Sequence, residues 1–216
     1  MKIAITGAYG FLGTHLTEYY ENKGDVVIKI GRNDNKSSNI LGCDLLIHAA
    51  GINRAATPED VFNGNINIAK ELILGLESLN IQIPIKYISS ISETDNSAYG
   101  NSKRKVKSLL QKYSYLNKTL FESYNLPNLF GTKGKPNYNS FVNTFAYNIV
   151  NNIECKYNTN PISLCHVTDA IKVIDNQTKE YKLYHTTVEE VYLKLNNIGS
   201  SELDKKLNEI LNYYKL

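Results

Sequence analysis

The chain has 216 residues, 21% of them charged, with a formal net charge of +3. That length fits one domain, or one domain with a small annex, and buries a core without staples. The slight positive charge is scattered rather than clustered, which argues against a nucleic-acid partner. Three cysteines (Cys43, Cys155 and Cys165) without metal-ligand spacing fit a reducing compartment. No apolar run reaches bilayer length, and Met1 leads straight into strand-like sequence with no room for a signal peptide. A cytoplasmic protein is expected, with no membrane or metal role. Asn, Lys, Ile and Tyr are abundant, but the apolar periodicity persists through them, so the chain is not a prion-like tract.

The elements alternate. Lys2–Thr6 reads as a buried strand and Phe11–Lys23 as a helix ended by Gly24. Val26–Ile30 is a second strand stopping at Gly31-Arg32. Residues 33–42 are polar, a loop or a poor helix. Asp44–Ala50 is a third apolar run, bounded by Gly51. Pro58–Asn80 carries Ile66, Ala69, Leu72, Ile73 and Leu76 at helical spacing. Ile83–Ser89 is a strand running into Ser90, and Tyr99–Tyr113 a helix. Thr119–Tyr124 is a strand leading into Asn125-Leu126-Pro127-Asn128-Leu129-Phe130-Gly131. Strands alternating with helices imply a parallel sheet covered on both faces, a Rossmann-type doubly wound α/β fold.

After Gly131 the rhythm loosens. Residues 133–139 form a Gly/Pro/Asn loop, followed by a helix over Ser140–Asn151 and a short strand over Ile162–Leu164. Thr168-Asp169 reads as the cap of a helix over Ala170–Asn176. Tyr181–Tyr184 is a short strand; Thr187–Leu195 and Ser201–Tyr214 are amphipathic helices. The division expected is residues 1–131 for a dinucleotide-binding domain and 132–216 for a small substrate-facing lobe with interleaved elements.

Two motifs carry the chemistry. The first is Gly7-x-x-Gly10-x-x-Gly13 between the first strand and the first helix. One glycine makes the tight turn, one lets backbone approach a pyrophosphate, and one lets helix and strand pack closely. The phosphate then sits on free amides at the helix N-terminus. The second strand ends in Gly31-Arg32 with no acidic residue at that point. An acid there grips the ribose of NAD, whereas an Arg accommodates a 2′-phosphate, so NADPH is the cofactor expected.

The second motif is Tyr99-Gly100-Asn101-Ser102-Lys103, after a strand ending Ser89-Ser90. Tyr and Lys four apart share a helix face. A free phenol titrates at about 10, too high for easy proton exchange at neutral pH. A neighbouring ammonium favours the phenolate. Tyr99 is therefore expected to protonate a carbonyl oxygen as hydride reaches the carbon. Lys103 would lower the phenol's pKa and hold the nicotinamide ribose. Ser90 would bond the same oxygen, with Ser89 as the alternative. His15, His48, His166 and His185 show no metal spacing and receive no catalytic role.

These residues, with Asp44 and His48-Ala49-Ala50-Gly51, resemble the extended short-chain dehydrogenase/reductase family. Ala50-Gly51-Ile52-Asn53-Arg54, the Pro127–Gly131 run and Lys135-Pro136-Asn137-Tyr138-Asn139-Ser140 are similar to the reductase domain of bacterial capsular-polysaccharide and O-antigen enzymes. That resemblance implies NADPH-dependent C4 reduction of a UDP-2-acetamido-2,6-dideoxy-4-keto-hexose, downstream of a 4,6-dehydratase. It places Asp44 near adenine, and Tyr9, Phe11, Leu12, Leu45, Ala49, Ala50, Gly51 and Pro127 around the cofactor. Asn53, Arg54, Ser89, Asn128, Lys135, Asn137, Tyr138, Asn139 and Ser140 would hold the nucleotide sugar.

Two features depart from the pattern. The fuller enzymes carry a C-terminal cupin-like domain that epimerises C3, and this sequence ends before one, so a reductase without C3 epimerisation is expected. The Arg that those enzymes place two residues before Pro127 is Asn125 here. A homodimer is expected through the Pro58–Asn80 and Tyr99–Tyr113 helices, on which Val61, Phe62, Ile66, Val106 and Leu110 would otherwise form an exposed patch. Two alternatives remain: an NAD-dependent nucleotide-sugar 4-epimerase, and a non-catalytic NADP-binding regulator.

Overall fold

The chain's longest-range order comes from five short strands that all run the same way. A computed structural model describes residues 1–34, 36–138 and 140–215. These divide into two units, Met1–Leu126 and Pro127–Leu216. In the first, β1 (Lys2–Thr6), β2 (Val26–Ile30), β3 (Leu45–His48), β4 (Ile85–Ser90) and β5 (Phe121–Leu126) form a parallel sheet in the order β2-β1-β3-β4-β5. Strand side chains alternate between faces. Ala4, Leu46, Ile85 and Tyr87 meet α2 (Lys36–Ile40), α3 (Pro58–Ser78) and α4 (Ala98–Leu116) through Ile40, Leu72, Leu76, Val106, Leu110 and Tyr113. Ile3 and Ile5, equally buried, point to the other face, where α1 (Phe11–Asn22) packs with Leu16 and Tyr20 inward. A sheet covered on both faces explains why the central strands β1 and β3 read as nearly unbroken apolar runs.

Local chemistry fixes where the helices start. Thr57 and Asp60 form a reciprocal capping box before α3, with a proline in its first turn. Ser97 caps α4 by accepting from Gly100 N at 3.0 Å. The polar stretch after β2 forms α2, a helix of five residues anchored by the fully buried Ile40. Strand β2 lies at one edge of the sheet, with Val26 exposed and Lys29 paired to Glu21 at 3.0 Å.

The second unit holds a three-stranded sheet. β6 (Asn128–Phe130) pairs in parallel with β7 (Pro161–His166), and β8 (Leu183–Thr187) runs antiparallel to β7. α5 (Phe141–Val150), α7 (Val188–Asn196) and α8 (Glu202–Lys215) pack around Phe130, Phe145, Leu164 and Leu207. Pairing of β6 with β7 puts residues 128–130 in this unit, so the boundary falls after Leu126, where the sequence division was drawn after Gly131. α6 (Val167–Ile174) starts earlier than its expected cap. Thr168 Oγ1 pairs with His166 Nδ1 at 2.7 Å and Asp169 with Lys172 at 2.9 Å, so neither acts as the cap.

One expectation is corrected here. Val61, Ile66, Val106 and Leu110 are buried within the chain, Val106 and Leu110 at 2% and 0% exposure, and only Phe62 of the expected patch is partly open. Val106 and Leu110 pack into the core beneath the sheet, and none of the four buried side chains needs a second copy to cover it. Among the described residues no helix is long and apolar enough to cross a membrane.

Candidate active site

In a parallel sheet all the carboxyl ends lie along one edge, and ligands of open α/β sheets bind outside that edge where the strand order reverses. Here the reversal lies between β1 and β3. The Gly7–Gly13 turn leaves β1 and the Ala49–Gly51 segment leaves β3, side by side. Gly7 has φ +71°, and a Cβ on it would stand 2.8 Å from the Ala50 backbone. A Cβ on Gly13 would stand 2.0 Å from Gly7 O. Gly10 N donates to Gly7 O at 2.9 Å and closes the turn. Thr6 holds the opposite wall: its O and Oγ1 accept from Ala49 N at 3.2 Å and Ala50 N at 3.3 Å. The start of α1 carries no side-chain cap, so its amides are available to an anion. Backbone so close that only glycine fits, beside uncapped amides, suits a dinucleotide pyrophosphate.

Arg32 is exposed just beyond β2. The expected absence of an acid at that point is corrected: Asp34 turns back and its Oδ2 accepts from Gly31 N at 2.7 Å, in a turn that the two-residue spacing hid. The exposed Tyr9 ring lies against Gly31, whose added Cβ would stand 3.1 Å from it. The expectation for Asp44 and Leu45 is also corrected. Both stand where β3 begins, at the opposite end of the sheet from the glycine turn, and Asp44 Oδ2 accepts from Lys2 N at 2.7 Å. Asp44 fastens the start of β1 and is remote from an adenine at the carboxyl edge.

Ser90, Tyr99 and Lys103 come together at the end of β4. A turn of 3-10 helix, Ile91–Thr94, folds the chain back from Ser90 so that α4 passes beside the strand. Gly100 permits the approach, since a Cβ there would stand 2.0 Å from Ser92 O. Lys103 is buried and its Nζ donates to Ile88 O at 2.9 Å. The ammonium lies 5.2 Å from the Tyr87 ring centroid and 5.6 Å from that of Tyr99. Burial pulls the Lys103 pKa down to about 8, against an opposing pull from Glu93. Burial also pushes the Tyr99 phenol up, opposed by its hydrogen bond with Ser90. The expected lowering of this phenol does not appear, because burial dominates its shift. Tyr99 is a neutral phenol, the form that can give a proton. Gly51 joins the two halves, because its absent Cβ would stand 3.3 Å from Lys103 Nζ.

Sequence reasoning missed Asn65, a buried residue of α3. Its Oδ1 accepts from Ile52 N at 2.7 Å, and its Nδ2 donates to Ile52 O at 2.7 Å and Ser102 Oγ at 2.9 Å. One amide thus ties the loop after β3 to the helix bearing Tyr99 and Lys103. Only its polarity on an apolar helix face hinted at this. Ser89 is buried and donates to the Glu93 carboxylate. Phe11 and Leu12 open α1 half-buried, while Asn53 and Arg54 are exposed beyond Gly51.

In the second unit Pro127 is buried, and Asn128, Lys135, Asn137 and Tyr138 are exposed. Their loop is fastened to α5 and α8: Asn143 Nδ2 donates to Gly131 O at 2.9 Å, Asn137 N donates to Thr144 Oγ1 at 2.9 Å, and Tyr214 OH donates to Gly134 O. Ser140 is buried and caps α5, its Oγ accepting from Asn143 N at 3.3 Å. Asn139 lies outside the described residues.

Residues 3–182 match the family model for the NAD dependent epimerase/dehydratase family. The chain belongs to that family. A curated relative from Pseudomonas aeruginosa, UDP-2-acetamido-2,6-beta-L-arabino-hexul-4-ose reductase, is 32% identical over 178 residues. The match covers 80% of this chain and 48% of that protein, so the chain spans about half the length of the relative. The structure of the capsular polysaccharide assembling protein CapF from Staphylococcus aureus superposes with a TM-score of 0.82 at 26% identity, over 99% of this chain and 66% of that one. UDP-glucose 4-epimerase from Thermotoga maritima shares the fold, with a TM-score of 0.84 at 14% identity over 100% and 99% of the two chains.

The family's glycine turn generates one prediction. Gly13→Ala forces a methyl into the Gly7 carbonyl, an overpacking worth about 1–3 kcal/mol. Dinucleotide affinity in a fluorescence titration and the urea midpoint are both expected to fall. Unchanged values would show that the turn is looser than this packing.

Proposed function

We propose that this protein is an NADPH-dependent C4 reductase of a UDP-2-acetamido-2,6-dideoxy-4-keto-hexose. The observation that carries the reading is the meeting of Ser90, Tyr99 and Lys103 beside Gly51, on the sheet edge that also bears the glycine turn. The activity of the Pseudomonas relative, a UDP-2-acetamido-2,6-beta-L-arabino-hexul-4-ose reductase, supports the substrate class. Such a substrate is the product of a 4,6-dehydratase, so the step follows one. A reaction fed by nucleotide sugar and reduced cofactor belongs in the cytoplasm.

Gly7, Gly10, Gly13 and the Ala49–Gly51 segment would hold the dinucleotide, which supplies the hydride when bound. Tyr99 donates its phenolic proton to the C4 oxygen. Ser90 orients that oxygen and the phenol, and Lys103 provides the positive charge that favours the phenolate left behind. The reading assigns Asn128, Lys135, Asn137 and Tyr138 to the nucleotide sugar. Mixing the protein with UDP-GlcNAc, a 4,6-dehydratase and NADPH tests it: a C4-reduced sugar should appear with matching NADPH oxidation.

Asp34 favours a second reading. A carboxylate at the end of β2 suits NAD, and a nucleotide-sugar 4-epimerase would use NAD without net oxidation. The same mixture distinguishes them, because an epimerase consumes no NADPH.

Tyr99→Phe should keep dinucleotide affinity and lower kcat by about 10²–10⁴-fold, the usual worth of a positioned acid. A variant turning over at the parental rate removes Tyr99 from the mechanism. NADPH should bind more tightly than NADH, and Arg32→Ala should narrow the gap, because the exposed guanidinium at the end of β2 suits a 2′-phosphate. Equal affinities in the parent protein count against NADPH.

We also assign a homodimer to this reading, through α3 and α4. Support comes from Leu74, 64% exposed on α3, and an open groove lined by Phe62, Asn101, Arg104, Lys105 and Ser108. Light scattering at micromolar concentration should give twice the 24.4 kDa chain mass; a monomer mass refutes the assignment.

A further inference from the structure

Glu93 holds a carboxylate where water scarcely reaches it. Its side chain is 10% exposed, on the 3-10 turn three residues past Ser90. Ser89 Oγ donates to Oε1, and Lys107 Nζ donates to Oε2 at 3.1 Å. The Glu93 carbonyl accepts from Arg104, which also donates to Asp95 O at 2.8 Å, so the turn is pinned from both sides. Lys107 stands one helical turn beyond Lys103, with Cβ atoms about 5–6 Å apart on one face. The clamped carboxylate is therefore held on Lys107, the partly solvated member of two successive lysines, of which Lys103 is the buried one.

A buried ammonium is unfavourable unless negative charge lies near it. The groups facing Lys103 can be named. Tyr87 approaches from β4 and Tyr99 from α4, and burial pushes both phenols up, so they are neutral. Asn65, reaching across from α3 to Ser102, is uncharged. Arg104 and Lys107 follow on α4 and are cationic. Glu93 is the carboxylate that acts on Lys103, opposing the effect of burial.

We propose, building on the roles given to Tyr99 and Lys103 above, that Glu93 is a positioning residue: clamped by Ser89 and Lys107, its carboxylate keeps Lys103 an ammonium. The charge acts through Lys103 on Tyr99 and touches neither substrate nor cofactor. A residue that merely pins the turn would leave the protonation of Lys103 unmoved, which separates the two roles.

The test needs neither cofactor nor substrate. The protein is labelled with 13Cε-lysine, and the Lys103 resonance is assigned by its loss in Lys103→Arg and followed against pH. In Glu93→Gln the midpoint should move down by about one pH unit, the order expected for losing a partly screened opposite charge. Lys107→Gln removes a like charge one helical turn from Lys103, so the Lys103 midpoint should move up in that variant. Glu93→Asp should keep most of the parental midpoint. An unmoved midpoint in folded Glu93→Gln overturns the proposal. If that variant fails to fold by circular dichroism, Glu93→Ala decides on the same readout: a lowered midpoint supports the proposal, and an unmoved one overturns it. The alkaline limb of kcat/KM for keto-sugar reduction should move with Lys103. A parent protein that reduces no keto sugar defeats the functional reading, and the titration still decides Glu93.

Discussion

A cation almost sealed from water stands at the head of β4, and the surrounding structure is arranged to tolerate it. An ammonium brought inside a protein loses several kcal/mol of hydration that only close partners restore. Lys103 regains part from the Ile88 carbonyl, part from two aromatic faces and part from the field of Glu93. Each partner restricts the backbone that carries it. Gly51 cannot take a side chain, Gly100 must let α4 close on the 3-10 turn, and Asn65 must hold the loop after β3 at a fixed distance from α4.

The parallel sheet makes this convergence possible. Strands of one direction deliver the ends of β1, β3 and β4 to the same edge. The glycine turn, the Ala49–Gly51 segment and Ser90 thus become neighbours although they are far apart in sequence. Thr6 shows how closely the edge is built. Its backbone oxygen and hydroxyl hold two successive amides across the strand gap, while the hydroxyl also meets the His48 ring at 2.8 Å. The second unit solves a different problem, holding an irregular polar loop still. Asn143, fully buried, and Tyr214 supply the partners that a strand or helix would have supplied to the loop backbone.

Much of this was legible in the sequence, for a physical reason. Strands buried on both faces must be apolar throughout, and glycines forced by close backbone contact leave a spacing that nothing else requires. The bounds of β1 and β2 follow from those signals, and the grouping of Ser90, Tyr99 and Lys103 from a Tyr and a Lys one helical turn apart after a strand end. What stayed hidden depends on contacts between distant residues. β6 is too short to carry a period, and only its pairing with β7 makes it a strand. Asp34 was passed over because its carboxylate reaches the end of β2 by doubling back. The family resemblance places Asp44 at the cofactor, yet strand direction puts it at the other end of the sheet. Val106 and Leu110 looked like surplus apolar surface because a linear pattern does not show how wide a stripe the sheet covers.

The sheet's exposed margin has a consequence of its own. β2 ends the strand order, so one rank of its peptide groups has no strand beside it, and its first residue, Val26, is 60% exposed. A bare apolar margin invites strand addition from another chain. Lys29, projecting from this strand and held by Glu21, sets a charge in the path of such an addition. The ion pair contributes little to folding, since exposed pairs rarely do, yet it stands where a gatekeeper against fibrillar self-association is most needed. The same short span of sequence therefore carries both the turn that closes on Asp34 at the carboxyl edge and the charge at Lys29.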